Sequence, residues 1–257
     1  APRARTVPDQ ARRLRFDALD VGSVQRFRER PPEANAPPSP SLTAYHPAMS
    51  LIVAGASISA GVPSRSFLTD PALRMTRPWN MRPRRTGERV TAIVIHAPVL
   101  SRAPKNPSPR IHERDPGVDE YAAIGVIADM KRGGRFAGVH VAIESDGSAL
   151  CCADLRDEAT YHVSGMNGCT VGILVARQKD GSLFRAQIDA VPRVVAAVSD
   201  ALSIPQRVAF PYLGRARQGI VSESGVWGFR DGAAEAPTWD PGDAVTRSLV
   251  DAGWEPF

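Results

Sequence analysis

The sequence contains no run of roughly 18 or more apolar residues, so it offers no membrane-spanning helix. Its first ten residues, APRARTVPDQ, hold no apolar stretch of the kind that a secretory signal needs. Cysteine is scarce: the chain has three, an odd number. Cys151 and Cys152 are adjacent, and neighbours on a strand point to opposite faces, so they neither pair with each other nor ligate one metal together. With Cys169 they are expected to be small, buried residues of a chain made in a reducing compartment, not the staples of a disulfide fold. Histidine is scarce too, with five in the chain and none after His162.

What the chain does have is enough apolar sequence for a core, 43% of 257 residues, and an uneven charge. Residues 1–90 hold 15 Lys and Arg against 7 Asp and Glu; the remainder holds 17 against 20. A basic segment beside a near-neutral domain fits an acidic surface on nucleic acid, anionic lipid or protein, although arginine spread wherever it is tolerated gives the same count. Arg12, Arg13, Arg15, Arg26, Arg28 and Arg30 recur in a stretch that ends in PPEANAPPSPS, too rich in proline for regular helix or sheet. Residues 43–62 add one short apolar run, Leu51 to Ala54, and residues 63–89 turn basic again. Residues 1–89 are therefore expected to be an extended arm with little regular structure, ordered against a partner or its own domain.

A compact domain is expected over residues 90–257. Val90 to Ala97 reads as an apolar strand carrying His96 near its end. Asp119 to Arg132 has helical spacing, stopped by Gly133–Gly134. Val139, Val141 and Ile143 alternate along a strand that breaks at Asp146–Gly147, a dipeptide suited to a tight hairpin, and Ala149 to Leu155 pairs back. Val171 to Ala176 is almost wholly apolar, as in a strand buried on both faces. Asp189 to Ile204 is an amphipathic helix stopped by Pro205. Gln206 to Leu213 is a strand, residues 214–239 are loop-like, and Asp240–Pro241–Gly242 opens a last helix to about Ala252. Strands alternate with helices, so the expected class is α/β with a mixed central sheet flanked by helices.

Five segments occur in a fixed order: TAIVIHA, GVHVAIESDG, YHVSGMNG, GFRD and a late DPG. That order resembles the type 2 N-acetylmuramoyl-L-alanine amidases, which share their fold with peptidoglycan recognition proteins. The resemblance covers about residues 90–254 and none of the arm. It implies a groove for the glycan-linked stem peptide and a zinc ion held by two histidines and an Asp or Cys. Such a site needs three protein ligands and an open fourth position. Carried over, the resemblance places the first ligand on His96 and the third on Asp240. The second falls on Phe229, whose ring has no lone pair for zinc. The lysine that assists the oxyanion becomes Thr238, and the tyrosine that handles protons in many members becomes Val139. The loop histidine of the groove is kept as His162. Trp227 and Trp239 flank the groove, either as stacking platforms for sugar or as loop anchors.

Because no histidine follows His162, no shift of alignment restores the lost ligand. His140 is the best substitute by type, but its strand neighbours point it away from the groove; His112 would have to swing in with its loop. Zinc is expected only if one of them replaces the missing ligand. The sequence is thus read as a catalytically degenerate amidase-fold domain. It would bind peptidoglycan or serve as a structural part of a phage tail, injection machine or cell-envelope complex, joined to protein partners through residues 1–89. An active zinc amidase is the alternative. A nucleic-acid-associated protein ranks last, since no aromatics interleave the arginines of the arm.

Overall fold

The computed structural model describes residues 50–74, 81–97, 110–117, 138–163, 165–178, 181–213, 225–229 and 243–256. All of them belong to one compact unit, His46–Phe257. The helix expected over residues 119–132, the segment from Arg230 to Gly242, and the first 49 residues lie outside the described set.

The sheet is built outward from β10 (Thr170–Val175), whose six residues are all buried. Sequence TVGILV has no charge to place on either face, so it can be covered on both. It pairs in parallel with β5 (Ala92–His96) on one side and with β7 (Val141–Ile143) on the other. Beyond β7 comes β8 (Ala149–Cys151), antiparallel, and then β3 (Ser64–Ser66); beyond β5 come β13 (Gly225–Phe229), β12 (Arg207–Leu213) and β14 (Glu255–Pro256). The mixed sheet expected from the sequence is present, with eight strands among the described residues. The β7–β8 hairpin turns where expected. Gly147 has φ +80, and a Cβ there would also lie 2.5 Å from the Ala186 carbonyl oxygen, so two constraints demand glycine.

Side chains of the central strands divide between two layers. Ile93, Ile95, Val171, Ile173, Val175, Val141 and Ile143 join one apolar cluster with Val191, Val194, Val195 and Val198 of helix α2 (Arg185–Leu202), and with Val245 and Leu249 of α3 (Asp243–Asp251). The helix spacing of i, i+3, i+4 and i+7 is what lets one stripe of valines cover the sheet. A short helix, α1 (Pro71–Arg74), precedes both. Helix α2 starts one turn earlier than its periodicity predicts. Gln187 explains the difference: its Oε1 accepts the Phe184 N–H at 3.0 Å, and its amide donates to the Ala176 carbonyl at 2.8 Å. The helix stops at Ser203 in the left-handed conformation, φ 55, two residues before Pro205. The opposite face of the sheet carries a smaller apolar cluster of Phe67, Val139, Ala142, Leu150, Cys152, Leu174 and Ala176.

Residues 50–89 differ from expectation, which gave them little regular structure. They contain β1 (Ser50–Val53), β2 (Ala56–Ser59), β3 and β4 (Met81–Pro83). Leu51, Ile52, Val53, Ala60 and Phe67 are buried in the same cores as the domain. β3 extends the main sheet, and β4 pairs with β9 (Glu158–Thr160). Composition misleads here because a strand of three or four residues needs few apolar side chains when the rest of the core is supplied from elsewhere. Residues 214–239, expected to be loop-like, contain β13. Its sequence GVWGF is too short and glycine-rich to register as a strand.

Asp154 fastens the first hairpin to the domain. The β1–β2 turn has positive φ at both Ala54 and Gly55, a twist that suits a two-residue hairpin. The Asp154 carboxylate accepts hydrogen bonds from the N–H groups of Ala54, Gly55, Arg156 and Asp157 at 2.8–3.0 Å. Although desolvation opposes it, this cradle of four backbone donors holds the Asp154 pKa below its ordinary value. Replacing Asp154 by Ala strands several donors in a half-buried site. The expected loss in urea-denaturation stability is about 2–4 kcal/mol; a loss under 1 kcal/mol would show that the hairpin is held by its apolar side chains alone.

Candidate functional site

The site assembles from three histidines that the sequence scatters over 66 residues. His96 is the last residue of β5 and is paired in register with Leu174 of β10. His162 follows β9 in a bend whose shape is set by Asn167: its side-chain oxygen accepts the N–H groups of His162 and Val163 at 2.9 and 2.8 Å. His140 immediately precedes β7 and is fully buried. The rings of His96 and His162 have centroids 5.3 Å apart and lie at 85° to each other; those of His140 and His162 are 5.8 Å apart at 88°.

Gly172 makes this packing fit. It lies in the middle of β10, and a Cβ there would sit 2.7 Å from both Cγ and Nδ1 of His162. No side chain larger than hydrogen leaves room for the ring. The same residue donates its N–H to His140 Nδ1 at 3.0 Å. A glycine within an otherwise continuous apolar strand was the signal that something approaches closely there.

The hydrogen bonds around His140 fix its state. Nδ1 accepts the Gly172 N–H and faces the Thr160 hydroxyl at 3.0 Å, so the ring proton sits on Nε2, which donates to the Glu158 carbonyl at 3.0 Å. Arg84 lies against it, with Nη2 at 3.2 Å from Nε2. The guanidinium donates to the carbonyls of Asn167, Gly168 and Thr170 at 2.7–3.1 Å, tying the segment after β4 to the loop before β10. Burial, with the Arg84 charge adding to it, pushes the His140 pKa down to about 3. Burial alone takes His96 to about 3. His162 is likewise held well below the ordinary histidine value, first by burial and then by its two histidine neighbours.

His140 therefore does not point away from the site, as its strand pattern suggested; it forms the floor beneath His162. With both nitrogens engaged it has none left for a metal. His112, the other expected substitute, lies in β6 (Ile111–His112), which pairs with β11 (Leu183–Phe184), and its ring packs on Phe184 at 5.1 Å. Among the described residues, no three His, Cys, Asp or Glu side chains are grouped to hold a metal ion. His96 Nε2 is 3.1 Å from His162 Nδ1. The centroid separation of 5.3 Å is nearly that distance plus the two ring radii, so the nitrogens meet head on as hydrogen-bond partners and do not converge on a third point. The described donors thus do not make a three-ligand zinc site.

On the far side of β5, Trp227 of β13 is paired with Val94 and Gly228 with Ile95. Phe229 is the next and last residue of that strand, as His96 is of β5. Val139 is buried in the apolar cluster with Phe67. Thr238, Trp239 and Asp240 lie outside the described residues. The site residues that sequence reasoning missed are Arg84, Thr170 and Gly172. Arg84 was hidden among the arginines of an apparent arm.

The profile of the N-acetylmuramoyl-L-alanine amidases matches residues 86–243. The chain belongs to this family. The match starts just before β5 and ends at the start of α3, so the family's share of the chain includes His96, the histidine cluster and β13. Solved structures of similar fold include the Staphylococcus aureus hydrolase AmiA in complex with its ligand, at 14% identity and TM-score 0.34, covering 55% of each chain. The endolysin of a Thermus scotoductus bacteriophage is similar at 14% identity and TM-score 0.40, over 69% of this chain and 90% of that one. Apis mellifera PGRP-SA is similar at 14% identity and TM-score 0.35, over 65% and 84%. No curated protein sequence matches the chain.

Two outcomes test the cluster. Gly172→Ala is expected to expel the His162 ring and lower the melting temperature, with a stability loss of about 1–3 kcal/mol from overpacking; an unchanged melt would mean that the ring is not where it is placed here. The second concerns pH. A histidine held at about 3 when folded and 6.5 when unfolded takes up its proton on unfolding. Its stabilising effect is complete above pH 6.5 and is lost as pH falls toward 3, on the order of 1 kcal/mol per pH unit for one such group. His140→Gln should therefore flatten the acid limb of stability against pH, read by chemical denaturation at a series of pH values.

Proposed function

We propose that this chain is an amidase-family domain that has kept the groove and lost the hydrolysis, and that it works as a peptidoglycan-binding or structural component of a larger assembly. The observation that carries this reading is the residue that ends β13. The family's second zinc histidine corresponds to Phe229, in the strand next to that of His96 and at the same end. A phenyl ring has no lone pair to offer, and no histidine follows residue 162 to take its place. Thr238 in place of the family's lysine and Val139 in place of its tyrosine add to the loss. Each missing group typically lowers a rate by roughly 10²–10⁴-fold, and here they are missing together.

Support for holding comes from what is kept. His96 and His162 are kept, and Leu174, the register partner of His96, belongs to the apolar cluster on the face of the sheet that the valines of α2 do not cover. The basic, proline-rich residues 1–49 are suited to engaging a partner of opposite charge in a phage particle or cell-envelope complex. An active zinc amidase is the competing reading, favoured by the retention of His96 and Asp240 and by membership of the family.

Elemental analysis of purified protein, run beside peptidoglycan co-sedimentation and digestion, separates the two. The expected result is co-sedimentation without release of stem peptides and without stoichiometric zinc. Release of stem peptides by zinc-loaded protein would sink the proposal. Phe229→His combined with Thr238→Lys is expected to raise zinc affinity at least tenfold, because it supplies the missing ligand.

A further inference from the structure

Three residues that seat His162 meet on one guanidinium, that of Arg84. Asn167 holds the backbone: its Oδ1 accepts the N–H groups of His162 and Val163, and its carbonyl accepts from Arg84 Nη1 at 3.1 Å. Thr170 meets the ring: its Oγ1 lies 3.0 Å from His162 Nε2, and its carbonyl accepts from Arg84 Nη2 at 3.0 Å. His140 packs edge-on against the same ring, and its Nε2 is 3.2 Å from Arg84 Nη2. Arg84 Nη1 also donates to the Gly168 carbonyl at 2.7 Å. The two segments approach so closely there that a Cβ on Gly168 would lie 2.5 Å from Glu88 Oε1. Arg84 is itself held just past the β4–β9 pair, where its N–H donates to the Asp157 carbonyl at 2.8 Å. The far end of the loop is tied separately, by the Thr91 N–H to the Cys169 carbonyl at 2.9 Å. A guanidinium suits this task because its donors form a rigid, permanently charged fork; an ammonium is a point charge and cannot span the same set of carbonyls.

We propose that Arg84 is the positioning residue of His162, acting through Asn167, Thr170 and His140 and not by touching a ligand. Arg84 lies just before the span that the family profile matches, residues 86–243, whereas His162 lies inside it. The site of this chain is therefore a composite, and the segment before β5 is part of it. That His162 meets peptidoglycan rests on the proposed function; the positioning rests on the hydrogen bonds. Linkage makes the coupling reciprocal, so a ligand that needs His162 seated also tightens the hold of Arg84 on the loop.

NMR of the full chain tests this in two ways. In the wild-type protein the Nη protons of Arg84 are expected as separate signals, because a fork gripped by carbonyls on both nitrogens does not rotate freely. A single averaged signal would overturn the proposal whether or not any variant folds. Arg84→Lys keeps the charge and loses the fork. In this variant amide hydrogen exchange at His162 and Val163 is expected to quicken roughly tenfold or more, while Ile173 and Leu174 in the centre of the sheet keep their rates. Unchanged exchange at His162 and Val163 would overturn the proposal. So would a uniform quickening across the sheet, which would reduce Arg84 to a contributor to general stability. In peptidoglycan co-sedimentation the same variant is expected to bind more weakly than wild type, and undiminished binding beside quickened exchange would also overturn it. Failure of the wild-type protein to bind, with the exchange pattern as expected, would count against the proposed function and leave the positioning role standing.

Discussion

The missing side chain at residue 172 is the constraint on which the site depends. β10 is otherwise a strand of buried side chains, apolar after Thr170, and it is the strand that the rest of the sheet is built upon. Opening one position in it admits the His162 ring, while the buried N–H of that same position captures His140. Two histidines that approach from opposite ends of the 138–163 segment are thereby stacked on a single residue. His96, at the end of the neighbouring strand, comes into contact with them only because β5 and β10 are paired in parallel and in register. A slip of one residue would turn His96 to the face covered by helix α2.

The segment before β5 is bound into the domain through polar groups as well as through its buried apolar side chains. Arg84 donates to three carbonyls of the 167–170 stretch, and Asp154 accepts from four backbone N–H groups, two of them in the first hairpin. Arg82 and Glu88 pair at 2.6 Å, which holds the Glu88 carboxyl down at about 2. That pair is partly solvent-exposed and adds little by itself. The buried carboxylate of Asp154 is the stronger tie, because one group gathers four backbone donors from two segments of the chain.

Much of the sheet could be read in the sequence because its central strands are long, apolar and punctuated. TAIVIHA, the Asp146–Gly147 turn and the valine stripe of α2 each carry a local signal of length, turn chemistry or period. β1 to β4 carry almost none. They are three- and four-residue strands, and whether such a segment is a strand is decided by its partner, not by its own residues. The histidine cluster was half legible. His96 and His162 were singled out from the family's motif order, whereas Gly172 was missed although its isolation in an apolar run was a signal. The position of His140 could not, because it comes just before β7 begins, where alternation along the strand no longer dictates which way a side chain turns. Arg84 was unreadable for another reason. Its neighbours Arg82 and Arg85 have the same composition signal but make surface pairs or none of the carbonyl contacts, and only tertiary geometry separates them.

The cluster also bears on why a member of this family can carry phenylalanine at the end of β13. A buried histidine that relied on a metal for its second partner would be left with an unmet polar nitrogen once the metal was gone, a penalty of about 1–3 kcal/mol. His96 does not depend on one at Nε2. That nitrogen is met by His162, which is met by Thr170, which is met by the Met166 carbonyl, and every partner belongs to the chain itself. His140 beneath them is satisfied independently by Gly172 and Glu158. A site whose histidines are held by the fold rather than by zinc can lose a zinc ligand without losing its shape. On the reading proposed here, that independence is what allows the groove to outlast the chemistry it once framed.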